Sequence, residues 1–330
     1  MAHPNAKETK QSWKLRAINM NNRVSLIGVP SDIGASDRGA SMGPEALRVA
    51  GIVDTLQKQG CDVKDAGNVS GPHNPEQPPQ NGYRHLAENI EWANNIQNAI
   101  YKELSDGYFP IMMGGDHAMS IGSVAAVARH CADINKPVCM LWIDAHADFN
   151  TNATSPSGNI HGMPVAVATG IGHPDLLAVG HAIPMVKPEN VYQIAIRSVD
   201  PIEKKLVIES GISVYDMRRI DEIGIRQTMQ EILHDVSEKG AHLHVSFDVD
   251  SLDPSIAPGV ATTIPGGLTY REAQLCMEMI HDSKLMGSLD IAEINPALDT
   301  NNSTAKIAVD LTASLFGRQI FPTHSLYQGE

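Results

Sequence analysis

Carboxylates and imidazoles follow three apolar runs of this sequence, at the point where each run ends. The six residues are His117 after Phe109–Met113, then Asp144, His146 and Asp148 after Val138–Ile143, then Asp248 and Asp250 after Leu243–Phe247. Alternate side chains of an extended segment point to one side, so the Asp-x-His-x-Asp residues are predicted to converge. The two glycines that precede Asp116 and His117 allow the tight turn that brings the histidine to the same place.

Four carboxylates this close would repel one another and lose hydration, at a cost of several kcal/mol for each uncompensated charge. A cation removes that cost, so the three motifs together predict a metal site and not an acidic rim without an ion. Oxygen and imidazole donors without thiolate suit Mn, Mg, Co, Ni or Fe(II). Six protein ligands are too many for one catalytic ion that keeps a position open, whereas two bridged ions fit the count.

The apolar runs before these motifs are predicted to be strands of a parallel sheet, because they lack the strict alternation of half-exposed strands. The predicted strands are Val24–Val29, Phe109–Met113, Val138–Ile143, Val191–Ile196, Leu243–Phe247 and Leu285–Ile291, with shorter ones near Val63 and Val214. The predicted helices are Pro44–Gln59, His85–Leu104, Met119–Arg129, Glu222–Lys239, Tyr270–His281 and Ser303–Phe316. This alternation predicts an α/β fold, in which ligands bind beyond the carboxyl ends of the strands.

The composition limits the class of ligand. The chain has 330 residues and a formal net charge of −13. This acidic balance argues against nucleic-acid and membrane binding, both of which need basic patches, and favours a cationic ligand. Its four cysteines show no CxxC spacing, so we expect buried, reduced thiols and neither a disulfide framework nor a structural zinc site.

The chain is predicted to hold one domain. We expect a polar N-terminal tail over residues 1–22 and a single catalytic domain over residues 23–330. The segment Asn68–Gly82 contains four prolines but is followed at once by a helical pattern, with no separate core after it. We therefore interpret this segment as a surface excursion within the domain and not as a linker.

Four blocks around the chemical residues resemble the signature motifs of the ureohydrolases. They are Gly114-Gly-Asp-His117, Asp144-Ala-His-Ala-Asp-Phe-Asn150, Ser246-Phe-Asp-Val-Asp-Ser-Leu-Asp-Pro254 and Asp290-Ile-Ala-Glu-Ile-Asn-Pro296. The resemblance runs from about Ser25 to Gly317, which is nearly the whole chain. It implies a three-layer α/β/α fold with a mostly parallel, eight-stranded sheet and a centre of two Mn²⁺ ions per chain.

The resemblance also implies a role for each motif residue. Asp144 and Asp248 would bridge both ions, His117 and Asp148 would complete one ion, and His146 and Asp250 would complete the other. A hydroxide that bridges the ions would attack the carbon of a guanidinium group. The implied catalytic residues are Glu293, which orients the guanidinium, Asp148, which hydrogen-bonds the attacking solvent, and His161, which carries protons.

The far end of the substrate distinguishes the members of this family. The sequence is similar to the arginase subgroup, which implies a substrate-binding set of Asn150, Ser157, Asn159, Asp200, Glu203, Thr262 and Glu293. Asn150 and Ser157 would meet an α-carboxylate, and Asp200 would meet an α-ammonium. Ser198, where many arginases carry an aspartate, is a departure outside the ligand set.

These features predict the hydrolysis of L-arginine to L-ornithine and urea. One alternative is hydrolysis of agmatine or another guanidino compound, since agmatine has no carboxylate to meet Asn150 and Ser157. The non-enzyme alternative is an inactive metal-binding scaffold, which is disfavoured because ligands, proton carrier and guanidinium anchor occur together.

Assembly and location follow from the resemblance and from what the sequence lacks. The resemblance implies a homotrimer. The sequence has no secretory signal and no apolar run near the roughly 18 residues that span a bilayer, so a soluble, cytoplasmic protein is expected. The sequence ends in Gln328-Gly329-Glu330, so a peroxisome-type signal would have to lie beyond Glu330.

Overall fold

Strands and helices alternate along residues 22–321, the part of the chain that this computed structural model describes. The strands are β1 (Arg23–Gly28), β2 (Asp62–Asn68), β3 (Phe109–Met113), β4 (Val138–Ile143), β5 (Val191–Ile196), β6 (Ser213–Asp216), β7 (His242–Asp248) and β8 (Met286–Ala292). The strand predictions are confirmed. The ends of the six strands whose bounds were predicted agree to within one residue. Strands β2 and β6 include Val63 and Val214 as predicted, but β2 has seven residues and is not a short strand.

The strands form one eight-stranded sheet in the order β2-β1-β3-β8-β7-β4-β5-β6. Every pair of neighbours is parallel, so the sheet that was expected to be mostly parallel is wholly so. Phe247 near the end of β7 pairs with Ile143 of β4 and with Ile291 of β8, which in turn pairs with Met113 of β3. The carboxyl ends of these four strands therefore lie level, at the centre of one edge of the sheet.

Ten α-helices connect the strands within the described range. They are α1 (Gly43–Val49), α2 (Ile52–Lys58), α3 (Leu86–Ser105), α4 (Ser120–Asp133), α5 (Pro164–Ala168), α6 (Pro174–Leu177), α7 (Pro201–Ser210), α8 (Met217–Glu238), α9 (Tyr270–Ser283) and α10 (Ser303–Leu315). The helices cover both faces of the sheet, which gives the three-layer α/β/α architecture that the resemblance implied.

Several helix predictions need correction. The single helix predicted over Pro44–Gln59 is two helices, α1 and α2, because Gly51 between them has a φ of 87°, a left-handed conformation that interrupts a helix. The short helices α5 and α6 were not predicted, and α8 begins at Met217 and not at the predicted Glu222. Helix α7 was not predicted either. It buries Glu203 and exposes Ile202 and Ile208, so its apolar residues do not follow the period of a helix with a buried apolar face.

Each strand contributes to two hydrophobic cores, one on each face of the sheet. In β4, Cys139, Leu141 and Ile143 belong to the core that also contains buried residues of α1, α2, α8, α9 and α10. Met140 and Trp142, which point the other way, belong to the core that also contains buried residues of α3, α4, α5 and α6. Burial on both faces explains why the sequence of these strands is continuously apolar.

The proline-rich segment is a surface excursion, as predicted. No helix or strand lies within residues 69–79, and β2 extends into the predicted loop as far as Asn68. The expected N-terminal tail, apart from Asn22, and the C-terminal Glu330 lie outside the described residues.

The cysteines are unpaired, as expected. Three of them are buried, but the expectation of burial is wrong for Cys61, which is half-buried. None of the helices that the structure describes is both long and apolar enough to cross a membrane.

Candidate active site

The predicted site residues meet in one pocket at the level ends of β3, β8, β7 and β4. Twelve of them line this pocket: His117, His146, Asp148, Asn150, Ser157, Asn159, His161, Asp200, Glu203, Asp248, Asp250 and Thr262. Glu293, which follows β8, lines it as well, and Asp144 lies fully buried beside it. The pocket also includes Ser155, Pro156, Gly162 and Ser198, which were not among the predicted site residues.

The six predicted metal ligands form two overlapping groups. In the first, Nδ1 of His117 lies 3.0 Å from Asp144 Oδ2, 3.0 Å from Asp248 Oδ2 and 3.3 Å from Asp148 Oδ2. In the second, Nδ1 of His146 lies 3.1 Å from Asp250 Oδ2 and 3.5 Å from Asp144 Oδ1. Asp144 belongs to both groups, with one oxygen facing each histidine, so the donor set has the form of two cation sites that share a carboxylate.

The side chains converge through turns and not through strand alternation, which corrects the argument made from sequence. Strand β4 ends at Ile143, before the first ligand, and Asp148 has a φ of 49°, in the left-handed region. After Asp248 the chain enters a 3-10 helix, Val249–Ser251, and the N–H of Asp250 donates to Asp248 Oδ1 at 2.7 Å. Strained or tightly turned backbone of this kind clusters at functional sites.

Neighbouring residues hold the ligands in place. Trp142 Nε1 donates to Asp144 Oδ2 at 2.9 Å, and Thr262 Oγ1 donates to Asp250 Oδ2 at 3.0 Å. Nε2 of His117 lies 2.9 Å from Oγ of Ser246, which can accept a proton from Nε2, while Nδ1 faces the carboxylates where a cation would bind. Trp142 and Ser246 were missed from sequence, although each stands two residues before a ligand aspartate.

The electrostatics of the cluster favour a cation. Burial, together with the charge of Asp144, raises the pKa of Asp148 to about 7. Burial and the neighbouring aspartates also raise the pKa of Asp248 and of Asp250. Burial opposes protonation of His117, but hydrogen bonds to three carboxylates outweigh it and raise the pKa of its imidazole. Divalent ions would neutralise these carboxylates, and oxygen and nitrogen donors without sulfur suit Mn²⁺.

Glu293 lies between the ligand cluster and His161. Its Oε1 lies 2.9 Å from His161 Nδ1 and accepts the backbone N–H of His117 at 2.8 Å. Its Oε2 is buried and has no hydrogen-bond partner among residues 22–321. Glu293 also has a φ of 65°, so the backbone is held in the left-handed region at this carboxylate.

The pKa values in this part of the site are strongly shifted. Burial opposes protonation of His161, but the hydrogen bond and charge of Glu293 outweigh it and raise the pKa of the imidazole to about 9. Burial raises the pKa of Asp116 to about 7, with Glu293 adding to the effect. Asp116 also caps the 3-10 helix that begins at His117, since its Oδ1 accepts the N–H of Ala118.

The far end of the pocket carries both donors and acids. Asn150 Nδ2 donates to Asp200 Oδ2 at 3.1 Å, and the side-chain oxygen of Asn150 accepts from Thr154 Oγ1 at 2.9 Å. Glu203 is buried, with Oε1 accepting the N–H of Phe149 and Oε2 accepting the N–H of Asp200, at 2.8 and 3.0 Å. Both oxygens of Glu203 are thus used to hold the backbone of the site.

Comparisons with known proteins find relatives that are similar in sequence and in fold. The chain is 44% identical over 296 residues to an arginase of Brucella melitensis, a match that covers 89% of this chain and 96% of that one. An arginase structure from Bacillus caldovelox superimposes with a TM-score of 0.87 at 41% identity, over 91% of this chain and 99% of that chain. An Entamoeba histolytica arginase in complex with L-ornithine superimposes with a TM-score of 0.83 at 28% identity, over 90% and 99%.

The family assignment follows from these likenesses and from the coverage of the chain. The model of the Arginase family matches residues 22–317, which is nearly all of the range that the structure describes. The chain therefore belongs to the arginase family.

Proposed function

We propose that this chain hydrolyses L-arginine to L-ornithine and urea. The observation that carries the proposal is the buried Oε2 of Glu293, which lacks a partner among the described residues and belongs to a side chain bonded to the backbone of the ligand cluster. A buried carboxylate oxygen without a partner is costly, and a guanidinium N–H would satisfy it with a charge-assisted hydrogen bond. The curated relatives at 40–44% identity are arginases, which supports the same reaction.

Two Mn²⁺ ions are proposed at the ligand cluster. Asp144 and Asp248 would contact both ions, His117 and Asp148 would complete one, and His146 and Asp250 would complete the other. The sharing of Asp144 between both groups of donors supports this division. When bound, the two ions supply a hydroxide nucleophile at neutral pH.

The protein side chains orient the substrate for attack. Glu293 would hold the guanidinium through Oε2, while Oε1 stays bonded to His161 and to the backbone of His117. Asp148 would accept a hydrogen bond from the attacking solvent. The guanidinium carbon is then held beside the ligand cluster with a fixed face toward it.

His161 would supply the proton that the leaving group needs. The bond that breaks joins the guanidinium carbon to the side-chain nitrogen of ornithine, an amine that leaves only when protonated. Because Glu293 raises the pKa of His161 to about 9, its imidazole is protonated at neutral pH and can donate. Solvent in the open pocket would then restore the proton.

The amino-acid end of the substrate would lie at the far end of the pocket. Asn150, Ser157 and Asn159 would face the α-carboxylate, and Asp200 would face the α-ammonium, with Glu203 holding the backbone of Asp200. Thr262 lines the same pocket but bonds Asp250, so its support for the substrate would be indirect. Donors opposite a carboxylate and an acid opposite an ammonium are complementary to an amino acid.

A homotrimer in the cytoplasm is also proposed. The trimer rests on the resemblance to the arginase family. The cytoplasm is a reducing compartment, and the four unpaired cysteines are consistent with that location.

Product analysis tests the proposed reaction. The manganese-loaded protein is incubated with L-arginine, and urea and L-ornithine are measured separately. We expect the two products in equal amounts and two Mn per chain by metal analysis. Release of ammonia in place of urea, or an active preparation with one ion or none per chain, would overturn the proposal.

A further inference from the structure

The proline-rich excursion, whose sequence has no place in the mechanism above, is fixed to the domain. Trp92 Nε1 of α3 donates to the carbonyl of Pro72 at 3.0 Å, and Asn95 Nδ2 donates to the carbonyl of Ser70 at 3.1 Å. Gly71 lies so close to the Trp92 ring that a Cβ there would come within 2.3 Å of it. The excursion therefore packs against α3 and has a defined position.

The excursion also contacts the loop that carries Ser157 and Asn159. A Cβ at Gly158 would lie 3.0 Å from the Cβ of Pro79, and a Cβ at Gly82 would lie 2.2 Å from the carbonyl oxygen of Asn152. Just after the excursion, the backbone N–H of Arg84 donates to the carbonyl of Gly158 at 2.8 Å. The excursion and the substrate loop are thus packed backbone against backbone, which places Arg84 next to Asn159.

The side chain of Arg84 determines which way the amide of Asn159 points. Nε of Arg84 donates to Oδ1 of Asn159 at 2.8 Å, and the hydroxyl of Ser36 donates to the same oxygen at 2.9 Å. A guanidinium cannot accept a hydrogen bond, so the opposite orientation of the amide would set two donors against each other. The oxygen therefore faces Arg84, and Nδ2 has no hydrogen-bond partner among the described residues.

The positive charge of Arg84 also favours a carboxylate at this end of the pocket. Arg84 forms no ion pair with any carboxylate in residues 22–321, whereas the pocket is lined by acids such as Asp148, Asp200 and Glu293. An anionic group that enters this pocket meets repulsion from the acids, and a fixed cation behind Asn159 offsets that repulsion. A polarised amide whose oxygen is bonded to a cation is also a stronger donor through its nitrogen.

We propose that Arg84 is a positioning residue that makes Asn159 present its NH₂ group to the α-carboxylate, and so selects substrates that carry that carboxylate. The inference rests on the proposed function and adds to it a residue outside the pocket wall. It predicts that Arg84 affects discrimination between L-arginine and agmatine, which share the guanidinium and the amine but differ in the carboxylate.

Steady-state kinetics of matched variants test this role. Arg84→Gln should raise the KM for L-arginine about 10-fold, as expected for loss of a charge-assisted hydrogen bond, with kcat within about 2-fold. Agmatine, measured as a substrate or as a competitive inhibitor, should bind as it does to the wild type. Arg226→Gln, at an exposed position of α8, is the control for a lost surface charge and should change neither value.

A second pair of variants separates positioning from general stability. In an Asn159→Ala background, Arg84→Gln should cause a clearly smaller loss with L-arginine than in the wild type, because the amide that Arg84 orients is gone and only the effect of its charge remains. Asn159→Asp, which keeps Arg84 bonded but turns an acceptor toward the pocket, should weaken L-arginine more than agmatine. Equal losses for both ligands in Arg84→Gln, or additive losses in the double variant, would overturn the inference. If the wild type releases no urea from L-arginine, the proposed function fails instead.

Discussion

Nδ1 of His161 lies 2.9 Å from Oε1 of Glu293, while Oε2 of the same carboxylate is buried and has no partner among residues 22–321. Glu293 also accepts the backbone N–H of His117, a candidate metal ligand. One carboxylate thus contacts both His161 and the backbone of the ligand cluster and keeps its second oxygen without a partner in the described part of the chain. In the proposed mechanism, this arrangement would let a single side chain both orient a guanidinium and hold His161 in its protonated form.

Glu293→Gln should therefore impair the reaction strongly. The amide keeps the shape of the side chain but loses the charge that pairs with a guanidinium, so kcat/KM for L-arginine should fall by about 10- to 150-fold or more. Glu45, an exposed acid on α1, supplies the control variant Glu45→Gln, which should leave the kinetics unchanged. An active Glu293→Gln variant with wild-type KM would contradict the anchoring role.

His161→Asn should lower kcat by about 10²-fold, a typical contribution of a general acid, without loss of metal. Wild-type activity should rise toward alkaline pH as the nucleophile ionises. It should then fall as pH passes about 9, where His161 loses its proton, and that fall should be absent in the variant. Metal content measured on the purified variant is the check. Loss of manganese would show that His161 is a ligand or a structural residue.

Chelation should make the stability of the protein depend on pH. In the folded chain the pKa values of Asp148 and Asp116 are about 7, against 3.8 for an ordinary aspartate. Between these two pH values both carboxyls therefore hold their protons more strongly in the folded chain than in the unfolded chain. Stability is then present below about pH 4 and is lost as pH rises through 7, so the melting temperature of the metal-free protein should fall from pH 5 to pH 8.

Added Mn²⁺ should reverse that loss at pH 8, and at 100 times its Kd it should stabilise the fold by about 2.7 kcal/mol. The chelated Asp148→Asn variant, which lacks one of the titrating carboxylates, should show a shallower fall between pH 5 and pH 8. A melting temperature of the chelated wild type that rises over this range would contradict the description of the ligand cluster.

The two ends of the amino-acid head should respond to different substitutions. Asp200→Asn keeps an acceptor for Asn150 Nδ2 but removes the charge opposite the α-ammonium, so it should cost about 10- to 150-fold in kcat/KM with both L-arginine and agmatine. Ser157→Ala should weaken L-arginine alone, because agmatine has no carboxylate. Kinetics with both substrates check this pattern, and equal effects of Ser157→Ala on the two would count against it.

The sheet and the ligand set could be predicted from sequence because both depend on local pattern. Strands buried on two faces must be continuously apolar, as β4 is, and their carboxyl ends meet at one edge of a parallel sheet. The sequence therefore predicts that the acids and histidines after β3, β4 and β7 lie close together.

The remainder depends on tertiary contacts that no local pattern shows. The break at Gly51 and the helix α7, with its buried Glu203 and exposed Ile208, are set by packing and not by periodicity. Asp148 has a left-handed backbone conformation, which the alternation of side chains in a strand does not predict. The sequence argument therefore identified the right set of residues but assumed the wrong backbone geometry for them. The pairing of Arg84 with Asn159 joins residues 75 positions apart, and no spacing in the sequence indicates it.

The most direct test of the account compares urea release from L-arginine and from agmatine by the manganese-loaded wild-type protein under identical conditions. Donors for a carboxylate at the far end of the pocket predict that kcat/KM for L-arginine exceeds that for agmatine by at least about 10-fold. Equal values, or a preference for agmatine, would contradict the assignment of L-arginine as substrate while leaving membership of the arginase family intact.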